Sequence, residues 1–329
     1  MAHIKTVEIT EEERERLTKC YRPFKDGRTY VRTIQGNNIL PKEYEKHKDQ
    51  IFNLKVRSDD TFVVTWPKNG TTWTQELVWC VQNDADIQTA KKLPLNARAP
   101  YLDFVFLADA MKSEDRPQHL SPSKLWQQMD EMQSPRIIKS HLTFDLLPVE
   151  LIHKNKAVIC LRNPKDTVVS YYHHEKLIKF HGYEGDFATY FDLFMDDLVV
   201  YGSYWRWVLE AWAQRDHPNV CMLFYEDMKR DLAGSIRKVA KFLGKELTDI
   251  QVENLVGHLS FKSMKDNPST NMEAMRGMAF TGPKGSFIRK GEVGDWKNHF
   301  TDEMDARMNQ AIEKHFKDSG LSFVYEQAL

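Results

Sequence analysis

The chain has 329 residues, 41% hydrophobic and 28% charged, with 46 Lys plus Arg against 47 Asp plus Glu. These values exclude a disordered, collagen-like or coiled-coil chain. The near-zero net charge leaves no global field to attract nucleic acid or an acidic membrane, so any anion site must be assembled locally.

Cys20, Cys80, Cys160 and Cys221 are widely separated and form no CxxC pair, the usage of reduced thiols in a cytoplasmic protein. The N-terminal MAHIKTVEITEEERER lacks the apolar stretch of a signal peptide, and no run approaches the ~20 apolar residues of a membrane span. A cytoplasmic protein with no membrane or nucleic-acid partner is expected.

Four short runs are apolar or β-branched almost throughout: residues 61–66 (TFVVTW), 136–139 (RIIK), 157–161 (AVICL) and 220–225 (VCMLFY). Continuity rather than alternation marks strands buried on both faces of a parallel sheet. Helical spacing at 71–81 and 187–213 lies between them, and Pro, Ser and charge at 111–124 read as a long surface loop. The expected fold is α/β, one domain over 1–329 with a central parallel β-sheet flanked by helices. Ligands of such sheets bind beyond the carboxyl ends of the strands, and three of the four runs carry unusual residues there.

The first run leads into Pro67-Lys68-Asn69-Gly70-Thr71-Thr72-Trp73. A glycine turn, two hydroxyl residues and a helix start present N–H groups to a phosphate, and Lys68 adds a point charge. It is not a Walker A loop, because the Lys precedes the single Gly. Position 178 is Ile, which removes an HExxH site from His174-Glu175, and GxGxxG and GxSxG are absent.

WPKNGTTW at 66–73, RNPKDTVVSYYHH at 162–174 and RKGEVGDWKN at 289–298, ordered along the chain, resemble the donor-binding segments of the cytosolic sulfotransferases. The resemblance runs from about residue 53 to the C-terminal end and includes insect-type members. It implies a P-loop-NTPase-like sulfotransferase fold using 3′-phosphoadenosine 5′-phosphosulfate (PAPS), releasing PAP, with no metal required. Residues 68–73, with Phe287, Ile288 and Gly291, are implied donor contacts. Arg162, Ser170, Arg289 and Lys290 would hold the 3′-phosphate, Trp73 would stack near the adenine, and Tyr225 and Ser260 would lie on the adenosine side.

KSHL at 139–142 is similar to the family's KTHL segment. His141 is the implied general base, with Lys68 and Lys139 neutralising the transferring group and Ser170 assisting. The acceptor would be a small lipophilic hydroxylated molecule such as a phenol, steroid, catechol or retinoid-like alcohol. Tyr44, Tyr101, Phe104, His141, His174 and His181 would line its pocket, with residues 1–52 contributing.

The chain departs from the family pattern at Asn69 (usually Ser), Trp66 (usually Tyr) and His174 (usually Phe). The family's dimer motif maps to Lys297, Thr301, Asp302 and Ala306, with two of its four defining residues lost, which implies a monomer or a dimer of another kind. Two alternatives stay open: sulfation followed by elimination, as in a retinol dehydratase, and a non-catalytic protein that binds a hydrophobic ligand or the nucleotide. Residues 266–286, rich in Asn, Gly, Met and Ser, read as a lid over the donor.

Overall fold

The computed structural model describes residues 4–111, 116, 120–282 and 285–326. The chain begins with a three-stranded antiparallel sheet, β1 (Thr6–Glu8), β2 (Tyr30–Thr33) and β3 (Ile39–Pro41). Sequence patterning did not indicate this sheet. Its strands are three or four residues long, too short to establish a period.

The central sheet is β4 (Thr61–Thr65), β5 (Ile137–Ser140), β6 (Lys156–Leu161) and β7 (Val220–Phe224), in the order β5-β4-β6-β7 and parallel throughout. The four expected runs are these strands, shifted by a residue at some ends. Phe62, Val64, Ile138 and Ile159 enter one core, whereas Val63, Ile137, Val158, Cys160 and Leu223 enter the other. Both faces are covered, so the middle of each strand is apolar on both sides, with polar residues confined to the strand ends. All four cysteines are buried free thiols.

Arg136 lies just outside β5. It binds the buried Asp60 carboxylate in bidentate fashion, Nε to Oδ1 at 2.8 Å and Nη2 to Oδ2 at 2.5 Å. Trp66 lies just beyond β4, fully buried, with its ring edge-on to Tyr171, Tyr204 and Trp207.

Helices α1 (Thr71–Gln82) and α2 (Pro164–Leu177) leave the carboxyl ends of β4 and β6. Asn163 caps α2 by accepting the Asp166 N–H at 2.8 Å, and Pro164 suits the first helical position, where its missing N–H is not needed. The expected helical segment 187–213 is two helices, α3 (Phe187–Met195) and α4 (Tyr204–Ala213). Asp197, Tyr201 and Gly202 adopt left-handed backbone between them, and Gly202 is required because a Cβ there would lie 2.2 Å from the Asn37 carbonyl oxygen.

Helix α5 (Leu232–Leu243) packs on α1, and α6 (Asp302–Phe316) closes the chain. Within the expected loop 111–124, residues 112–115 and 117–119 lie outside the described residues, and a helix begins at Pro122. The 266–286 segment contains a helical turn (Arg276–Ala279) and docks on the end of α2, where Thr281 N–H donates to the Leu177 carbonyl at 2.8 Å. No helix among the described residues is long and apolar enough to cross a membrane.

Removing one member of a buried ion pair leaves an uncompensated charge. Arg136→Met should therefore lower unfolding stability by about 3–5 kcal/mol, measured by urea denaturation, because Asp60 keeps its burial and loses its bidentate partner.

Candidate active site

One cleft of about 1570 Å³ opens where the carboxyl ends of the parallel strands converge. Gly70 takes φ +90° at the α1 N-terminus, and a Cβ there would lie 2.9 Å from the Tyr225 ring. Lys68 also has positive φ, at 68°. This tight turn brings the backbone of residues 68–72 against the cleft. Thr71 Oγ1 is 2.6 Å from Thr65 Oγ1, and Trp73 meets the Tyr225 ring edge-on at 5.6 Å.

From β6, Arg162 reaches across the loop. Nη1 donates to the Lys68 carbonyl at 3.3 Å and Nη2 to the Glu292 carbonyl at 3.0 Å, with the guanidinium 4.2 Å over the Tyr225 ring. Its Nε is buried without a partner. Arg289 and Lys290 are held on Asp295, at 2.6 and 2.5 Å, and the adjoining turn is pinned to α2 by Gly294 and Trp296 N–H bonds to Asp166. Gly291 is required by close approach: φ is +69° and a Cβ would fall 2.2 Å from the Phe261 ring.

On the other side of β4, residues 100–102 lie along the β5 edge. Lys139 N–H donates to the Pro100 carbonyl at 2.9 Å, and Leu102 N–H donates to the Lys139 carbonyl at 2.9 Å. This places Asp103 under the end of β5, where it accepts from Ser140 Oγ at 2.5 Å and His141 N–H at 2.9 Å. Lys139 Nζ sits 3.7 Å over the Tyr101 ring, and the Tyr101 hydroxyl is bonded to that of Tyr201.

The His141 ring packs between Tyr101 and Tyr201, and its Nδ1 lies 2.6 Å from the Thr65 carbonyl oxygen. A carbonyl only accepts, so Nδ1 carries the proton and Nε2 keeps its lone pair.

Burial depresses three bases here. His141 is held well below its ordinary range by desolvation, reinforced by Lys139. Lys68 is pushed down to about 7 by burial and by the neighbouring Lys139, Arg162 and Arg289. Lys139 falls to about 8 through burial, opposed by the Asp103 carboxylate. Burial pushes Asp103 up to about 6, against the bonds from Ser140 and His141. The cleft thus stores positive charge that a bound anion would relieve.

Of the expected donor residues, Lys68, Gly70, Thr71, Thr72, Trp73, Arg162, Ser170, Tyr225, Phe287, Ile288, Arg289, Lys290 and Gly291 line this cleft. So do Lys139, His141, Tyr101, Phe104, His174 and His181. Three expected residues are not among those lining the cleft. Asn69 is fully buried away from the cleft, its Oδ1 accepting from Thr167 Oγ1 at 3.0 Å, because the turn directs its side chain under α2. Ser260 caps the following helix by accepting the Ser263 N–H, and only its neighbours Leu259 and Phe261 reach the cleft wall. Tyr44 is fully buried against Phe106. The N-terminal contribution comes instead from residues such as Arg22, Pro23, Arg28 and Glu43.

Sequence reasoning missed Asp103, Asp166 and Asp295. An acid inside the apolar run 101–107 was the available signal for Asp103. The other two stood inside matched segments, but their partners are set by tertiary contact.

A sulfotransferase domain pattern matches residues 58–320. The chain belongs to the sulfotransferase family and is a PAPS-dependent sulfotransferase. Among its relatives, firefly (Photinus pyralis) luciferin sulfotransferase is 35% identical, over 90% of this chain and 82% of that protein. Bovine sulfotransferase 1E1 is 37% identical over 85% and 92%. Retinol dehydratase, solved with retinol and PAP, superposes with a TM-score of 0.88 at 30% identity, covering 97% of this chain and 98% of that one.

The donor's phosphates fit this chemistry. Lys68, Lys139, Arg162, Arg289 and Lys290 are among the cationic side chains that line the cleft, and Arg162 Nε has no protein partner. An ordinary lysine, near 10.5, is protonated at about pH 8, whereas Lys68 at about 7 is mostly free amine. Acetylation at that pH, followed by peptide mass spectrometry, should label Lys68 ahead of surface lysines and lose that label when PAP is added.

Proposed function

We propose that the enzyme transfers the sulfuryl group of PAPS to a hydroxyl of a small lipophilic acceptor, with His141 as general base. The observation that carries this reading is the His141 tautomer. The Thr65 carbonyl takes Nδ1–H, burial keeps the ring neutral, and two lysines share the same cleft wall. A neutral imidazole with a free lone pair takes the proton of an acceptor hydroxyl.

The bound donor supplies an electrophilic sulfur, and PAP leaves. His141 Nε2 removes the hydroxyl proton. Lys68 and Lys139 hold positive charge where negative charge develops, a role that electrostatic preorganisation in a water-poor cleft makes effective. Ser170, at the cleft face of α2, stands with Arg162, Arg289 and Lys290 on the 3′-phosphate side. Trp73, held edge-on by Tyr225, offers an aromatic cleft wall on which an adenine stacks. Tyr101, Phe104, His174 and His181 face the acceptor.

The buried free cysteines support action in a reducing compartment. Lys297 pairs with Glu326 at the surface and Thr301 caps α6; the loss of two of the motif's four residues is what favours a monomer or a dimer of another kind. The close superposition on retinol dehydratase favours a second reading, sulfation followed by elimination. Loss of water from the acceptor, in place of gain of sulfate, in the product mass spectrum would establish it.

His141→Ala should reduce kcat by at least ~100-fold, the contribution typical of a positioned base, while PAP affinity by calorimetry changes little. Turnover comparable to wild type would refute the base assignment. Arg289→Ala should raise the donor KM about tenfold or more, as expected for loss of a charge-assisted phosphate contact. An unchanged donor KM in steady-state assays excludes that contact.

A further inference from the structure

The acceptor chamber contains polar groups whose hydrogen-bonding capacity the protein leaves unused. His174 and His181 both line the cleft, with ring centroids 5.3 Å apart. Nδ1 of each is buried without a hydrogen-bond partner. Glu175 lies behind them, with 0% exposure. Its Oε2 accepts from the Tyr21 hydroxyl, whereas its Oε1 has no hydrogen-bond partner and sits 3.7 Å from His181 Nδ1.

Buried polar groups are nearly always satisfied, so three unfilled positions around one point of an aromatic chamber need a reason. Two backbone features fix the group. Glu175 and His174 are on α2, the helix that carries Ser170 one turn earlier, and His181 is on the turn that follows it. Tyr21 is brought in from the N-terminal segment by its bridge to Tyr183.

We propose that Glu175 orients His181 as a second recognition point of the acceptor chamber, so that preferred acceptors carry a further hydroxyl besides the one that is sulfated. This rests on the transfer reading above and adds the acceptor's chemistry. The Tyr21 hydroxyl donates to Glu175 and favours its carboxylate form against burial, which pushes the carboxyl up to about 7. A carboxylate beside Nδ1 draws the ring proton to that nitrogen and leaves the Nε2 lone pair for the cleft. Burial and the positive charges of Arg28 and Lys68 keep the His181 ring neutral. A neutral nitrogen lone pair accepts from a hydroxyl and offers nothing to an ether or a hydrocarbon. His174, edge-on to Phe287 at 5.7 Å, stands beside it as a second imidazole.

Two pairs of phenols that differ by one hydroxyl test this: para-phenylphenol with para,para′-biphenol, and para-ethylphenol with tyrosol. Affinity for the PAP-loaded protein is measured by titration calorimetry, so the outcome does not depend on turnover. Sulfated product, assayed separately, tests the transfer reading itself.

Wild type should favour the dihydroxy member of at least one pair by about tenfold, the worth of one well-formed hydrogen bond. His181→Phe should bring that ratio close to unity, and Glu175→Gln should lower it. Equal affinities within both pairs in the wild type, or a preference that persists in His181→Phe, overturns the proposal. A preference unchanged in Glu175→Gln removes the positioning role of Glu175. Because Glu175 is buried, PAP affinity serves as the folding control. Where Glu175→Gln fails it, His181→Phe, altered only at the cleft wall, decides.

Discussion

Mutual repulsion among buried cations is the constraint on which the donor side depends. Lys68, Lys139 and Arg162 all reach the cleft, and none has an ion-pair partner among the described residues, whereas Arg289 and Lys290 share Asp295. Each lysine costs free energy to bury, and Lys139, Arg162 and Arg289 raise that cost for Lys68. The fold tolerates this because aromatic faces lie under the charges: Phe287 under Lys68, Tyr101 under Lys139 and Tyr225 under Arg162. A polyanionic donor removes the repulsion, so the same charges that strain the free protein favour the complex.

The parallel sheet gives that charge a single location. Four strands pointing the same way end on one edge, so residues far apart in the chain converge there. Carboxylates then set the geometry one layer back. Asp103 holds Ser140 and the His141 backbone, Asp166 pins the turn at Gly294, and Asp295 gathers Arg289 and Lys290. Helix α2 brings Ser170 and His174 to the same cleft within a little more than one turn.

Legibility in the sequence followed the range of the interaction. The four strands were readable because burial on both faces leaves a local, continuous apolar signature. The segments around Gly70 and Gly291 were readable because a left-handed turn and close backbone approach demand glycine at both positions. The three-stranded N-terminal sheet, with strands of three or four residues, left no comparable pattern. Tyr44 and Ser260 do not line the cleft, for a related reason. Which way a side chain points at the start of a helix depends on what packs beside it, Phe106 for the first and the helix's own N–H groups for the second.

By itself the sequence determined the class of protein, the parallel sheet and the strand-end segments that carry cationic, hydroxyl and imidazole groups. Local backbone requirements and ordered motifs are written in consecutive residues, which is why they can be read directly. Only the tertiary structure decided that Thr65 fixes the His141 tautomer, that Asn69 turns away from the cleft and that Glu175 lies behind His181. Those outcomes depend on side chains brought together from distant parts of the chain, and on the loss of water around them. No window along the chain contains either.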